Sequence, residues 1–433
     1  MRNDIVHGGA EELTYEIREI VEVGEALEGM GVSVRWENIG DPVAKGHEVP
    51  GWIKERVNIA VVDDENFGYS PTKGLLKTRE FLARLRAEEE GPAITAEDIL
   101  FFNGLGDAIS KVYTYLRGTA RVIGPTPAYP THSSAEGAHA GDRHIAYDLN
   151  PHRNWLPDLE DLRNKVRYNP SVSGILIINP GNPTGTVCPE RVLREIVKIA
   201  KEFDLFLIAD EIYANIVHED KKMVPLRQVL GSVPAIVMRG LSKEIPWPGA
   251  RCGWIEVYNK ERDPVFARYV KTLHDAKALE VCSTTLPQAV LPDIFSDERY
   301  RLHLREKARL YGRNAEIAWR ALRNVHGILA PKPEGAFYLS VVFEDGAIKE
   351  DQKLDIKNKK VKEYIEGIVH GIPADKRFVY YLMAATGICV VPLSGFHSPL
   401  SGFRITLLES DKETFTAMIR EIADAITAYL NSK

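Results

Sequence analysis

From about residue 95 the chain alternates short, almost wholly apolar runs with amphipathic helical stretches, and that rhythm confines it to a narrow class of folds. Ile99 to Phe102 reads as a strand, Asp107 to Leu116 as a helix, Arg121 to Ile123 as a strand and Thr131 to His139 as a helix. Gly174-Ile175-Leu176-Ile177-Ile178 follows as a buried strand. Next comes a helix from Pro189 to Phe203 with Val192, Leu193, Ile196, Val197 and Ala200 on its buried face, then the strand Leu205 to Ala209. Strands apolar throughout need helices over both faces of their sheet. Strands alternating with helices mean βαβ units and a mostly parallel sheet. Ligands on such sheets bind beyond the carboxyl ends of the strands. Asn182, Asp210 and Lys243 each follow a strand at that end, so the sheet is expected to bring them together.

The flanks follow different patterns. Residues 1 to about 57 hold an acidic helical stretch and an extended segment, Val34 to Ile39, ending at Gly40-Asp41-Pro42. The loop Gly68 to Gly74 leads into a helix in which Leu75, Arg79, Leu82 and Leu85 recur at helical spacing. After about residue 297 come a long helix, Glu298 to Arg323, and short strands at Gly335 to Phe343, Ile388 to Val391 and Phe403 to Leu407. The closing helix is expected to start at Ser410-Asp411-Lys412-Glu413, which has the spacing of a capping box. The fold class is therefore α/β: a three-layer αβα large domain over 58–309, and a smaller α+β domain from 1–57 and 310–433. The charged, lysine-rich stretch Glu344 to Asp375 reads as a solvated excursion, with a docking site as the other reading.

Composition excludes several functions. A net charge of -6 and a pI near 6.1 argue against nucleic acid or an anionic membrane surface as partner. Cys188, Cys252, Cys282 and Cys389 are far apart and form no Cys-x-x-Cys pair, so reduced thiols are expected rather than disulfides or a metal site. The N-terminus lacks the apolar core of a signal peptide, and no apolar run approaches the roughly 20 residues that span a bilayer. A cytoplasmic protein is the expectation.

The chemistry-bearing residues cluster in three motifs. Gly240-Leu241-Ser242-Lys243 follows a strand and leads through Pro246-Trp247-Pro248 to Arg251. A lysine in such a site can lose its proton and form a Schiff base, whereas on a surface it is only a solvated charge. Arg251 either makes an ordinary ion pair or, with the Ser242 hydroxyl, holds a phosphate. Asp210 either caps the next helix or keeps a pyridine nitrogen protonated. Tyr213, three residues on, shares its face if a helix begins there, and is either a core tyrosine or a donor to a phenolic oxygen. Asn182 lies in Asn179-Pro180-Gly181-Asn182-Pro183-Thr184-Gly185, a stiff turn with two Asn-Pro steps.

Asn103-Gly104-Leu105-Gly106-Asp107, between strand and helix, offers free backbone N–H groups to an anion. As a dinucleotide fingerprint it fails, because Ile109 occupies the position of the third glycine. Tyr129 follows a strand at the same sheet edge and is either a core ring or one stacked on a cofactor. Arg404, between Phe403 and Ile405, is either paired structurally or grips a substrate carboxylate. The twelve histidines are scattered and read as structural or solvated.

Asn182-Pro183-Thr184-Gly185, Asp210-Glu211-Ile212-Tyr213, Ser242-Lys243 and Pro248-Gly249-Ala250-Arg251-Cys252-Gly253, in that order, resemble the fold-type I, class I/II aminotransferases that use pyridoxal 5′-phosphate (PLP). The resemblance runs from Asn38 to Thr406, and within the family it is nearest to alanine aminotransferases. It implies that Lys243 binds the cofactor covalently and acts as acid–base. It also implies that Asp210 pairs with the ring nitrogen while Tyr213 and Asn182 contact the ring oxygen. Ser242, Arg251 and the Leu105-Gly106 backbone would hold the phosphate, with Tyr69 entering from a second subunit of an obligate homodimer. Tyr129 would stack on the ring, and Arg404, Asn182 and the Gly40 backbone would bind the substrate. Gly240 departs from the pattern, since many members carry serine there.

The reaction expected is transfer of an amino group from an L-amino acid to a 2-oxo acid by a ping-pong sequence, possible substrates being of the alanine and glutamate type. Alternatives on the same scaffold are a lyase, a cyclopropane-carboxylate synthase or a racemase. A regulatory protein without turnover is a further alternative.

Overall fold

The computed structural model describes residues 5–13, 16–218 and 221–432. Its centre is an eight-stranded sheet built from β2 (Ile99–Asn103), β3 (Arg121–Thr126), β4 (Ala146–Asn150), β5 (Leu156–Pro157), β6 (Val172–Ile178), β7 (Phe206–Asp210), β8 (Ala235–Gly240) and β9 (Cys252–Tyr258). The strand order is β2-β9-β8-β7-β6-β3-β4-β5, with β8, β7, β6, β3 and β4 pairing in parallel. β9 runs antiparallel to both of its neighbours, and β5 to β4.

The apolar strands are explained by burial on both faces. Leu207 and Ala209 of β7 point into one core while Ile208 points into another; Ile175 and Ile177 alternate in the same way with Leu176 in β6. Successive side chains of a strand face opposite sides, so a sheet covered above and below needs apolar residues at both parities. One face is covered by α4 (Leu105–Thr114), α5 (Pro130–Ala140) and α8 (Pro264–Ala278). The other is covered by α2 (Gly51–Ala60), α3 (Leu76–Ala87), α6 (Leu159–Tyr168), α7 (Glu190–Glu202) and α9 (Thr285–Ser296). On α7 the buried set is Val192, Leu193, Ile196, Val197, Ile199 and Ala200.

A second core surrounds a four-stranded antiparallel sheet of order β10-β11-β14-β13: β10 (Ile328–Leu329), β11 (Tyr338–Phe343), β13 (Val391–Pro392) and β14 (Gly402–Thr406). Beside it, β1 (Arg35–Trp36) pairs in parallel with β12 (Ile388–Cys389). Packed on these are α1 (Glu16–Gly29), α10 (Glu298–Leu322), α11 (Lys359–Ile368), α12 (Ala374–Thr386) and α13 (Lys412–Asn431).

Several expectations change. The Ile388–Val391 strand is two short strands in different sheets. The N-cap of α13 is Asp411, whose carboxylate accepts the Thr414 N–H at 2.7 Å, so no capping box starts at Ser410. No helix begins after Asp210; residues 211–215 form a turn, so the proximity of Tyr213 does not come from helical spacing. The stretch from Glu344 to Asp375 is not a solvated excursion. Leu354, Ile356, Val361 and Ile365 enter the core around the smaller sheet, while most of its charged residues, acids such as Glu350 and Asp355 as well as lysines, meet water.

Candidate active site

The carboxyl ends of β6, β7 and β8 open into a cavity of about 380 Å³ that is closed on the far side by β14, the Asn38–Asp41 strap and α1. At one end, α4 starts immediately after Gly104. That residue has φ +81°, and an added Cβ would lie 2.5 Å from Arg251 Nη2, so a glycine is required both by conformation and by space. The turn lets Arg251 reach the first turn of the helix, where its Nη2 donates to the Asn103 carbonyl at 3.2 Å. The first-turn amides of Leu105 and Gly106 have no intrahelical acceptor. Leu105, Gly106, Ser242 and Arg251 all line this end of the cavity, forming a cup for an anion.

In the middle, Asp210 is 3% exposed, and its two oxygens are held separately. Oδ1 accepts the Ile212 N–H at 3.1 Å, and Oδ2 lies 3.1 Å from His132 Nε2. Tyr213 Oη and Tyr338 Oη form a hydrogen bond of 2.9 Å. Burial raises the Tyr213 pKa well above its usual value, and the neighbouring Tyr338 adds to the effect, so the phenol stays neutral. Asn182 precedes a cis proline, as Asn179 does, and lines the cavity with Tyr129, the N-cap residue of α5.

Lys243 is half-buried in the same cavity, and its Nζ donates to the Gly40 carbonyl at 2.8 Å. Loss of hydration lowers its pKa from 10.5 to about 8; Arg404 and Arg251 push the same way, while Asp41 and Asp210 oppose them. At Gly40 an added Cβ would come within 2.3 Å of Tyr338 Oη, so a larger residue there would displace the Tyr338 hydroxyl.

The opposite end is cationic. Arg404, 3% exposed, donates from Nη1 to Asn182 Oδ1 at 3.2 Å and from Nη2 to the Asn38 carbonyl. Its guanidinium carbon stacks 4.4 Å from the Tyr338 ring centroid and 5.0 Å from that of Phe396. Arg404 Nε is buried without a partner. Arg18, on α1, is a third arginine lining the cavity, after Arg251 and Arg404.

The model of the aminotransferase class I and II family matches residues 38–422. The chain belongs to the class I and II aminotransferase family. The aminotransferase is 51% identical over 432 residues, the whole of both chains, to an uncharacterized aminotransferase of Methanocaldococcus jannaschii. It is 28% identical over 402 residues to the glutamate-pyruvate aminotransferase AlaA of Escherichia coli K12, covering 91% of this chain and 97% of that one. Among solved structures it resembles an alanine aminotransferase from Pyrococcus furiosus, with a TM-score of 0.84 at 24% identity over 96% and 98% of the two chains. The fold is that of the fold-type I aminotransferases, and members of the family use PLP. The protein is a transferase acting on an amino acid and a 2-oxo acid. The lyase, synthase and racemase alternatives are not favoured.

Of the residues singled out in the sequence, Gly40, Leu105, Gly106, Tyr129, Asn182, Asp210, Tyr213, Ser242, Lys243, Arg251 and Arg404 all line the one cavity. Tyr69 does not; it is 85% exposed on the surface. Gly240 is explained by crowding, since a Cβ there would lie 3.0 Å from the Cys252 carbonyl oxygen. Sequence reasoning missed His132, Tyr338, Asn38 and Arg18. His132 lies three residues after Tyr129 on α5, and that spacing was the available signal.

Proposed function

We propose that this aminotransferase binds PLP through Lys243 and exchanges amino groups between glutamate- and alanine-type substrates. The observation that carries the reading is Lys243 itself, half-buried with a pKa near 8 in a cavity shared by a carboxylate and an anion cup. The donor set fits the cofactor. Leu105 and Gly106 amides, Ser242 and Arg251 suit a phosphate dianion, Asp210 suits a protonated ring nitrogen, and Tyr213 and Asn182 suit a ring oxygen. When bound, PLP supplies an aldehyde that condenses with amines and a ring that accepts the electron pair of a broken Cα–H bond.

The chain's own part is binding and proton transfer. Arg404, with Asn182 and the Gly40 backbone, fixes the substrate α-carboxylate and so aims the Cα–H bond at Lys243. The Lys243 amine then takes the Cα proton; a pKa near neutrality suits a general base. Asp210, oriented by His132, would face the ring nitrogen, and Tyr129 would cover the ring face. Arg18 supports a dicarboxylate as one substrate, because it offers a cation for a distal carboxylate at the cavity wall. The AlaA relative, named a glutamate-pyruvate aminotransferase, supports the same pair.

The proposal includes a homodimer completed by Tyr69 of a second copy. Exposed Ile59, Val62, Phe67, Tyr69 and Leu279 support an apolar contact surface. It also includes a two-part chain, 58–309 and 1–57 with 310–433, in which Ile53 of α2 packs across into the larger core. A cytoplasmic location is proposed from the free cysteines; no helix among the described residues is long and apolar enough to cross a membrane.

The test is Lys243→Ala. The variant is expected to lose both the cofactor-linked visible absorbance and the transfer from L-glutamate to pyruvate. Retention of both would overturn the assignment.

A further inference from the structure

The lysine-rich stretch that packs on the smaller sheet ends at Asp375, whose carboxylate ties two further elements together. Asp375 is 2% exposed in the first turn of α12. Its Oδ1 accepts the Lys376 N–H at 2.8 Å, and its Oδ2 accepts the N–H of Ser394 at 2.8 Å and of Gly402 at 3.4 Å. The two partners of Oδ2 lie on different elements. Ser394 sits in the turn Leu393–Phe396, which presents the Phe396 ring to the Arg404 guanidinium at 5.0 Å. Gly402 opens β14, the strand that carries Arg404 two residues later. The same turn reaches the other side of the cavity, where the Phe396 carbonyl accepts the N–H of Ala128, next to Tyr129.

A buried carboxylate is costly unless its hydrogen bonds are made, and a helix start can be capped by a neutral side chain. Here the charge is spent on joining a turn to a strand. Asp375 acts on Arg404 and Phe396 through the backbone of residues 394 and 402, whose N–H groups it accepts.

We propose that Asp375 is a positioning residue for carboxylate recognition. By holding Ser394 and Gly402 with one oxygen it fixes Phe396 against Arg404, so that the guanidinium meets the α-carboxylate of both substrates in one orientation. This rests on the reading of Arg404 as the carboxylate site.

The test compares Asp375→Asn, Asp375→Glu, Arg404→Lys and Val361→Ala as holoenzymes, measuring kcat and KM for L-glutamate and pyruvate together with Tm. Val361 is fully buried in the same core and lies outside the cavity. Asp375→Asn should raise KM for both substrates about five- to tenfold, the scale of losing hydrogen bonds to a charged acceptor, with kcat within about twofold of the parent. Asp375→Glu, which keeps the charge but shifts it, should raise both KM values by a smaller factor. Val361→Ala should lower Tm and leave KM unchanged.

Unchanged KM in Asp375→Asn, or a rise matched by Val361→Ala, would overturn the proposal. If Asp375→Asn does not fold, unchanged KM in Asp375→Glu does the same. If Arg404→Lys leaves KM unaltered, it is the carboxylate reading of Arg404 that fails instead.

Discussion

The amine of Lys243 is poised by the loss of its water, and this makes a kinetic prediction. Covalent capture of an aldehyde requires the neutral amine, which is the minor form below a pKa near 8 and the major form above it. Uptake of PLP by the cofactor-free protein should therefore accelerate with rising pH and reach half its plateau near pH 8, as followed by stopped-flow absorbance. A rate still rising at pH 10 would indicate an ordinary solvated lysine. Arg18 makes a second prediction, about selectivity. Arg18→Gln should raise KM for L-glutamate about tenfold, the value of a charge-assisted contact, and leave KM for L-alanine near the parent value in steady-state assays. At this scale Asp210 and Arg404 are legible because each stands out in an apolar strand, and Asn182 and Lys243 because each sits in a short motif just past a strand end. His132, Tyr338 and Asn38 are not. They acquire their roles from partners 78, 125 and 366 positions away, and those pairings exist only after folding.

Among the elements, the turn from β2 into α4 carries the anion cup, and it depends on one residue without a side chain. Gly104→Ala would force a Cβ into a left-handed backbone and against Arg251. The expected result is a PLP dissociation constant at least tenfold weaker, measured by fluorescence titration, with the rest of the fold intact. The long parallel strands were readable because burial on both faces leaves an unbroken apolar run. Two-residue strands such as β5 and β12 carry no period to read. In α11, Lys359, Lys360 and Lys362 mask the pattern, although Val361 and Ile365 at i and i+4 mark its buried face. The start of α13 differs by one residue from the sequence expectation because Ser410 and Asp411 are both good capping types, and only the backbone decides between them.

Across the whole molecule, the large sheet is braced by a buried charge cluster that no local pattern announced. Glu256 of β9 accepts Arg86 Nε on both oxygens at 3.0 Å, Trp254 Nε1 at 3.1 Å and Tyr258 Oη at 2.8 Å, tying α3 to the sheet. Burial alone would raise its pKa, but Arg86 and Arg239 outweigh burial and hold it at about 2 instead of 4.5. A depressed carboxylate stabilises the fold fully above the unfolded value, and that contribution fades as the pH falls through 4.5 toward 2. Glu256→Gln leaves Arg86 and Arg239 facing a neutral partner and should cost about 3–5 kcal/mol near pH 7 in denaturant unfolding, a gap that narrows below pH 4.

The Asn38–Asp41 strap has a consequence of its own. Two of the pocket's cations already donate to its main chain, Arg404 to the Asn38 oxygen and Lys243 to the Gly40 oxygen. An arriving carboxylate or aldehyde competes with peptide oxygens rather than with bulk water. Entry and departure are then a swap of partners along three residues of main chain, and the tempo of the enzyme would be set by how readily that short ribbon lets go.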